Sequence, residues 1–426
     1  MPPPLHLFQG YGVELEYMVV DRDTLRVAPI VDRLLQIAAA LPGAEIEDEE
    51  EGGNSEYPGS VQLGPIAWSN ELALHVLEFK VSTPSQTLSN LADTFHKSIT
   101  TANAALAPMN AQLLPCGMHP LMNPDTEMTI WPHGYSEVYE AFNKIFDCKG
   151  HGWSNLQSAH LNLPFAGDDE FGRLHAAIRF ILPILPALAA SSPMMDGGAT
   201  GLMDNRLDVY SDNARNLPIT SGKVIPEPVF THDDYERVVL RAIYKAFEPH
   251  DPNGVLRHEW ANSRGAIARF TRSAIEIRVL DVQECPRADL AIIAAISSVL
   301  RAMVEGRLSD LNEIKKWGVE PLHALLLSVI RDADQARIAD PAYLRALGFT
   351  GDSCSARQLW QHLVESTFAN DPGYPEFKPA LDVILSQGCA ARRMMAHLRG
   401  DFSAPNITRL LRELASCLAE NRMLEP

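Results

Sequence analysis

The chain has 426 residues, 46% of them hydrophobic, with mean hydropathy near zero and a formal net charge of −18. That length supports an extensive buried core. The acidic balance argues against nucleic acid or an anionic membrane as the main partner, because both reward basic surfaces.

In chain order, Gly12-Val13-Glu14-Leu15-Glu16-Tyr17 is the first predicted strand. A strand has a side-chain period of two, so Val13, Leu15 and Tyr17 face a core while Glu14 and Glu16 stand together on the other surface. Ile30 to Leu41 reads as a helix, with Val31, Leu34, Leu35, Ile37 and Ala38 on its apolar face. The acidic run Glu45 to Asn54 reads as a loop. Leu77-Glu78-Phe79-Lys80 is a second strand. Glu71 lies an odd number of residues before Glu78, so on one unbroken strand the two would face opposite sides. Ser85 is a candidate N-cap for a helix carrying Leu88, Leu91, Phe95, Ile99, Ala102 and Leu106 on one face.

Gly150 to Phe165 returns to strand, and Ser158, His160 and Asn162 alternate there with Ala159, Leu161 and Leu163. Phe171 to Ala190 is predicted helical, and Met194 to Pro228 is a long glycine-bearing loop of the kind that usually exists for binding. Ile275-Glu276-Ile277-Arg278-Val279 is a fourth patterned strand, preceded by the crowded Arg264, Arg269 and Arg272. Beyond Arg287 the chain reads as helices over 288–305, 321–332, 356–366, 380–399 and 407–422. The predicted fold class is α+β, with 1–300 as a catalytic region and 301–426 as a helical region packed on it.

Each strand alone is consistent with an ordinary solvated sheet face. Together they point to a shared site, because carboxylates crowded on one face repel unless cations sit among them. Magnesium or manganese meets that need, taking oxygen from a few carboxylates together with phosphates and water. Glu14, Glu16, Glu78 and Glu276 are the candidate ligands, Glu71 a further one, and His160 a nitrogen ligand or phosphate contact. No CxxC or HExxH spacing indicates zinc, and no P-loop or GxGxxG is present. Arg278, beside Glu276, is a candidate contact to phosphate or to a substrate carboxylate, or else one half of a structural pair. Asp281 has the opposite parity from Glu276 and is read as supporting. Trp260 is a candidate for stacking on adenine or for the core.

These segments, in this order, resemble the glutamate–cysteine ligase family, particularly its bacterial carboxylate–amine ligase branch. Gly12-Val13-Glu14-Leu15-Glu16 is similar to its first strand, and Glu71 and Glu78 with Ser82-Thr83-Pro84 to its second acidic strand. His160-Leu161-Asn162 resembles its His/Gln-x-Asn/His strand. Ser191-Ser192-Pro193 through Thr200-Gly201 to Arg206 resembles its loop, and Ile275 to Asp281 its Glu-x-Arg strand. Departures are Ser273-Ala274 in place of Gly-Thr, and Ser158 where many members have a first histidine. The resemblance implies a glutamine-synthetase-like curved antiparallel sheet with helices behind it. It also implies ATP as co-substrate and amide formation from a carboxylate and an amine through an acyl phosphate, most simply γ-glutamyl transfer to cysteine. Arg206 resembles the arginine that grips the amino-acid carboxylate. Asn162 and one or two of Arg264, Arg269 and Arg272 are expected at the nucleotide. A metal-dependent phosphohydrolase and a non-catalytic ligand-binding descendant are the alternatives. Small-molecule amino-acid and amine substrates are the expected partners, with oligomeric state left open.

The six cysteines (Cys116, Cys148, Cys285, Cys354, Cys389 and Cys417) form no pairing motif, which suits a reducing compartment. Met1-Pro2-Pro3-Pro4 lacks the charged and apolar regions of a signal peptide. The longest apolar run, Phe180 to Ala190, is too short to span a bilayer. A cytoplasmic location is expected.

Overall fold

The computed structural model describes residues 4–46, 56–134 and 136–425. Most of the predicted acidic loop, 47–54, therefore lies outside the described residues. Among those described, nine antiparallel strands form the main sheet. They are β1 (Gly12–Asp21), β2 (Ala44–Ile46), β3 (Ser60–Leu63), β4 (Ile66–Asn70), β5 (Val76–Val81), β6 (Ala111–Leu114), β7 (Ser158–Pro164), β8 (Ala266–Arg269) and β9 (Ala274–Asp281). Their order is β8-β9-β7-β1-β5-β4-β3-β2. One edge of β1 pairs with β7 through its first half and with β6 through its last half, while β5 takes the other edge. The architecture is α+β.

The two faces of β1 have different fates. Val13, Leu15, Tyr17 and Val19 belong to the principal apolar core, which draws members from Tyr11 to Leu418. On that face Tyr17, Phe79 and Trp68 meet edge-on, with ring centroids 5.9 and 5.4 Å apart, an arrangement that suits the ring quadrupoles. Trp68 Nε1 donates to Ser98 Oγ at 2.6 Å and ties the sheet to the Leu91–Leu106 helix behind it. The Pro286–Val304 helix is buried along most of its length against the 91–106, 167–181, 356–367 and 374–387 helices. On the opposite face, Glu14 and Glu16 are followed by Met18 and Val20. These two pack with Leu114 under Met394, Leu398, Ile407, Leu410 and Leu414 of the last two helices. One end of the carboxylate face is thus roofed with apolar side chains.

Several element boundaries differ from the sequence reading. The helix expected from Ser85 starts at Leu91, and Asn90 (φ 61°) precedes it. Ser85 instead pairs with Tyr11 through both backbone groups, extending the β1 edge. The expected 171–190 helix runs Gly167–Ile181 and then breaks into two short turns, Leu182–Ile184 and Pro186–Ala189. Pro183 and Pro186 cannot donate to the preceding turn. The expected 380–399 helix is two helices, Tyr374–Gln387 and Ala390–Leu398, parted at Gly388, whose φ of 102° no helix accommodates. Before β7, His151–Ser154 is a helical turn rather than strand. Among the described residues no helix is long and apolar enough to cross a membrane.

Candidate active site

Register brings the four patterned strands together. Glu14 lies opposite His160 on β7 and Lys80 on β5, Glu16 lies opposite Glu78, and Glu276 lies opposite Asn162. Directly opposed residues share a face, so Glu14, Glu16, Glu78, His160, Asn162 and Glu276 project from one surface. Asn162 fits only because its neighbour on β1 is glycine. A Cβ at Gly12 would stand 2.8 Å from Asn162 Cβ.

His160 is the hub. Its Nδ1 donates to Glu14 Oε2 at 2.8 Å and lies 4.0 Å from Glu276 Oε1, while its Nε2 is 3.7 Å from Glu16 Oε1. Asn162 Nδ2 donates to Glu14 Oε1 at 3.0 Å. The backbone N–H and the hydroxyl of Ser158 both donate to Glu16 Oε2 at 2.7 Å. Ser69 Oγ donates to Glu78 Oε1 at 2.8 Å. Arg278 Nε is 2.9 Å from Glu276 Oε1, and Arg269 Nη1 donates to Glu276 Oε2 at 3.2 Å.

The electrostatics are those of a crowded acidic cluster. Burial pushes Glu14 up, but the hydrogen bond and charge of His160, helped by Lys80 and Arg278, outweigh it and hold the carboxyl at about 2. Burial together with the charges of Glu14 and Glu16 pushes Glu78 up to about 7. Burial opposes protonation of His160, yet the hydrogen bond to Glu14 and the charges of Glu16, Glu14 and Glu276 raise it to about 9. Among the described residues, two sets of three potential ligand atoms lie within 4.8 Å of one another, Glu14/His160/Glu276 and Glu16/Glu78/His160. The donors are carboxylate oxygens with one imidazole shared between the sets. That chemistry, with charge crowding high enough to lift Glu78, fits a hard divalent cation such as Mg2+ or Mn2+.

Glu71 is not on a strand. It lies in the turn between β4 and β5, so the parity objection to it disappears. Burial and the charges of Glu16 and Glu78 push its carboxyl well above the ordinary range. It lines, with Glu16, His160, Arg206, Tyr210 and Arg278, a cavity of about 160 Å³ beside the cluster. Tyr210 and Ser69 were not singled out from the sequence. Tyr210 lies in the Asn205–Asp212 helix with no motif around it, whereas Ser69 sits opposite Glu78 on β4 and alternates with the buried Trp68.

The arginines separate. Arg269 and Arg278 join the cluster. Arg264 does not: it is fully buried, its Nε and Nη2 bind Glu227 at 2.5 and 2.7 Å, and its Nη1 donates to the carbonyls of Ile219 and Thr220. This guanidinium clamps the 219–227 segment and has no donor to offer a phosphate. Arg272 is exposed in the turn between β8 and β9. Arg206 lines the cavity but is committed, with Nη1 3.3 Å from Asp281 Oδ1 and Nη2 donating to the Arg278 carbonyl at 2.9 Å.

Asp281 corrects the parity argument. A register shift between Ile277 and Leu280 sets Asp281 opposite Ser158, on the face of the cluster. From there its Oδ2 accepts from Ser191 N at 2.8 Å and Ser192 Oγ at 2.7 Å, pinning the loop that carries Arg206. Trp260 packs on Phe142 in an aromatic group with Phe146, Trp153 and Phe247. Cys285 is buried, and burial pushes its thiol well up, away from thiolate chemistry.

The model of glutamate-cysteine ligase family 2 (GCS2) matches residues 11–409. An uncharacterized protein of Archaeoglobus fulgidus is 33% identical over 330 residues, covering 76% of this chain and 84% of that protein. Two Bradyrhizobium sp. proteins, provisionally named glutamate–cysteine ligase 2, are 30% and 29% identical over 45% of this chain, a match that spans only 41% of their own length. A bifunctional glutathione synthetase from Pasteurella multocida superposes with a TM-score of 0.61 at 14% identity, covering 96% of this chain and 53% of that one. Glutamate–cysteine ligase from Francisella tularensis, in complex with AMP, superposes with a TM-score of 0.55 at 11% identity, covering 96% and 93%. At such identities the two structures share the fold. With the family match running over nearly its whole length, the chain belongs to glutamate–cysteine ligase family 2.

Proposed function

We propose that the chain is an ATP-dependent carboxylate–amine ligase acting through an acyl phosphate, most simply joining the γ-carboxylate of glutamate to cysteine or another amine. The observation that carries this reading is His160 standing between two carboxylate sets, with Arg269 and Arg278 at their edge. Glu14, Glu16, Glu78, Glu276 and His160 would hold the divalent cations. When bound, such ions supply charge neutralisation to phosphate oxygens.

The side chains of the protein divide the remaining work. Arg269 keeps a buried Nε without a hydrogen-bond partner among the described residues, and Arg278 meets Glu276 through its Nε alone, its two terminal nitrogens making no hydrogen bond among the described residues. Those donors suit the charge that accumulates on a phosphoryl group in transfer. The cavity bounded by Glu71, Tyr210 and Arg278 is of a size for an amino-acid substrate, not a nucleotide. Asp281 and Arg206 act on positioning, holding the strand and loop behind that cavity. In the reaction a carboxylate oxygen attacks the γ-phosphorus and ADP departs. The amine nitrogen then attacks the acyl carbon, phosphate departs with its bonding electrons, and the amine proton passes to solvent. No protein nucleophile is required, which agrees with the buried thiol of Cys285.

The test is phosphate release from Mg-ATP with glutamate and a panel of amines, added singly and together, with mass spectrometry of the mixtures. Release that needs both reactants and yields an amide mass supports the ligase. Release indifferent to every amine would instead establish a phosphohydrolase.

A further inference from the structure

Across the sheet from the carboxylates lies a second cavity, of about 200 Å³, that the ligase chemistry does not use. Tyr11 precedes Gly12 and has the parity of Val13 and Leu15, so it faces the helix-covered side. There its hydroxyl accepts from Arg301 Nη2 at 2.8 Å. Arg301 is in the last turn of the Pro286–Val304 helix. It lies over the Phe8 ring, 5.0 Å from the centroid, and no carboxylate of the described residues pairs with it. One helical turn earlier, on the same stripe, Ser297 is 4% exposed, and its hydroxyl has no hydrogen-bond partner among the described residues. Asp371 lines the same cavity, an exposed carboxylate whose Oδ1 accepts from Gly373 N at 2.8 Å, and Phe377 adds apolar surface to the lining.

A half-buried cation without a counter-ion, a buried hydroxyl without a partner and a carboxylate lining one cavity are a set of complementary hooks. The volume falls below the roughly 300–1,000 Å³ of pockets that hold drug-sized ligands, which excludes a nucleotide. An inorganic anion would leave Asp371 unmatched and repelled, whereas a molecule carrying both charges satisfies both Arg301 and Asp371. We propose that this cavity is a second small-molecule site, for a free amino acid whose carboxylate meets Arg301 and Ser297 and whose ammonium group meets Asp371. It is separated by the sheet from the proposed reaction centre, so its occupant is not a reactant.

The experiment is isothermal titration calorimetry of the full chain with a panel of free amino acids, with succinate and with inorganic phosphate. It is repeated on Arg301→Met and Asp371→Asn. At least one amino acid is expected to bind and to lose about tenfold or more in affinity in both variants, the size of one charge-assisted hydrogen bond. The same amino acid should bind Glu276→Gln unchanged, since Glu276 lies on the other face. Asp371 is exposed, so its variant decides the matter should Arg301→Met not fold. Absence of amino-acid binding, affinities equal in wild type and Asp371→Asn, or binding of succinate or phosphate alone would each overturn the proposal.

Discussion

Replacing Glu78 by glutamine should strengthen the metal-free fold while destroying turnover. Glu78 is buried opposite Glu16, and burial with the charges of Glu14 and Glu16 pushes its carboxyl from 4.5 to about 7. A carboxyl raised in the folded state favours folding when protonated. Its contribution is therefore intact at low pH and is lost as pH climbs from the unfolded value towards the folded one. By linkage the ionised group costs about 3 kcal/mol at about pH 8 and under about 1 kcal/mol at about pH 5. Glutamine imitates the protonated state at every pH, with nearly the same volume, and its carbonyl can still accept from Ser69 Oγ. Urea unfolding in a chelating buffer should therefore show Glu78→Gln more stable than wild type by about 3 kcal/mol at about pH 8, with the gap closing towards about pH 5. Adding Mg2+ should stabilise the wild type and leave the variant behind, because a ligand that binds only the folded state raises stability by mass action. A variant less stable than wild type at alkaline pH without metal, or one stabilised equally by Mg2+, would refute the crowded-carboxylate account.

Three further outcomes are expected. Glu276→Gln removes the counter-charge of Arg269 and Arg278 and one carboxylate of the cluster. If the about 3–5 kcal/mol typical of a broken buried pair falls on the reaction, Mg-ATP turnover drops at least about a hundredfold with an unchanged far-UV spectrum. Near-normal turnover would dissolve the proposed cluster. Gly12→Ala drives a methyl into Asn162 Cβ, beside the backbone of β7 where nothing can swing away. Overpacking should cost about 1–3 kcal/mol by urea unfolding, and a neutral result would mean that the strands separate freely. Arg264→Met and Arg269→Met should part company. The first lowers stability through the abandoned Glu227 and leaves the apparent KM for ATP alone, while the second raises that KM. The reverse pattern would exchange their roles.

The site was readable in the sequence where strand periodicity governs it. Glu14, Glu16, His160, Asn162 and Glu276 each follow an alternation that only one face can satisfy, and antiparallel register then aligns them. The face of Asp281, read as a supporting residue, is not legible because a register shift in β9 carries no signature among Leu280 and its neighbours, yet turns the residue to the other side. Which of Arg264, Arg269 and Arg272 reaches the cluster is not legible in the sequence, because the partner of Arg264, Glu227, is 37 residues away and belongs to no pattern. Glu71 was ambiguous because strand parity has no meaning in a turn whose position the sequence leaves open. The helices were legible as apolar stripes, while their ends depended on tertiary choices. Asn90 in a left-handed conformation and the backbone pairing of Ser85 with Tyr11 are decided by the sheet edge, not by local propensity.

The roof that the 390–398 and 404–420 helices place over Met18 and Val20 gives the trough a closed end and an open one. The cavity near Glu16, Ser158 and Arg206 lies on the side of the cluster nearer the roof. Glu14, Asn162, Glu276 and Arg269 lie nearer the start of β1, away from the roof. On the proposed reading, a reactant on the roofed side should meet a stricter limit on its length than one on the open side. Relatives that differ in how far these last helices extend over the sheet should differ first in the length of the molecule they admit.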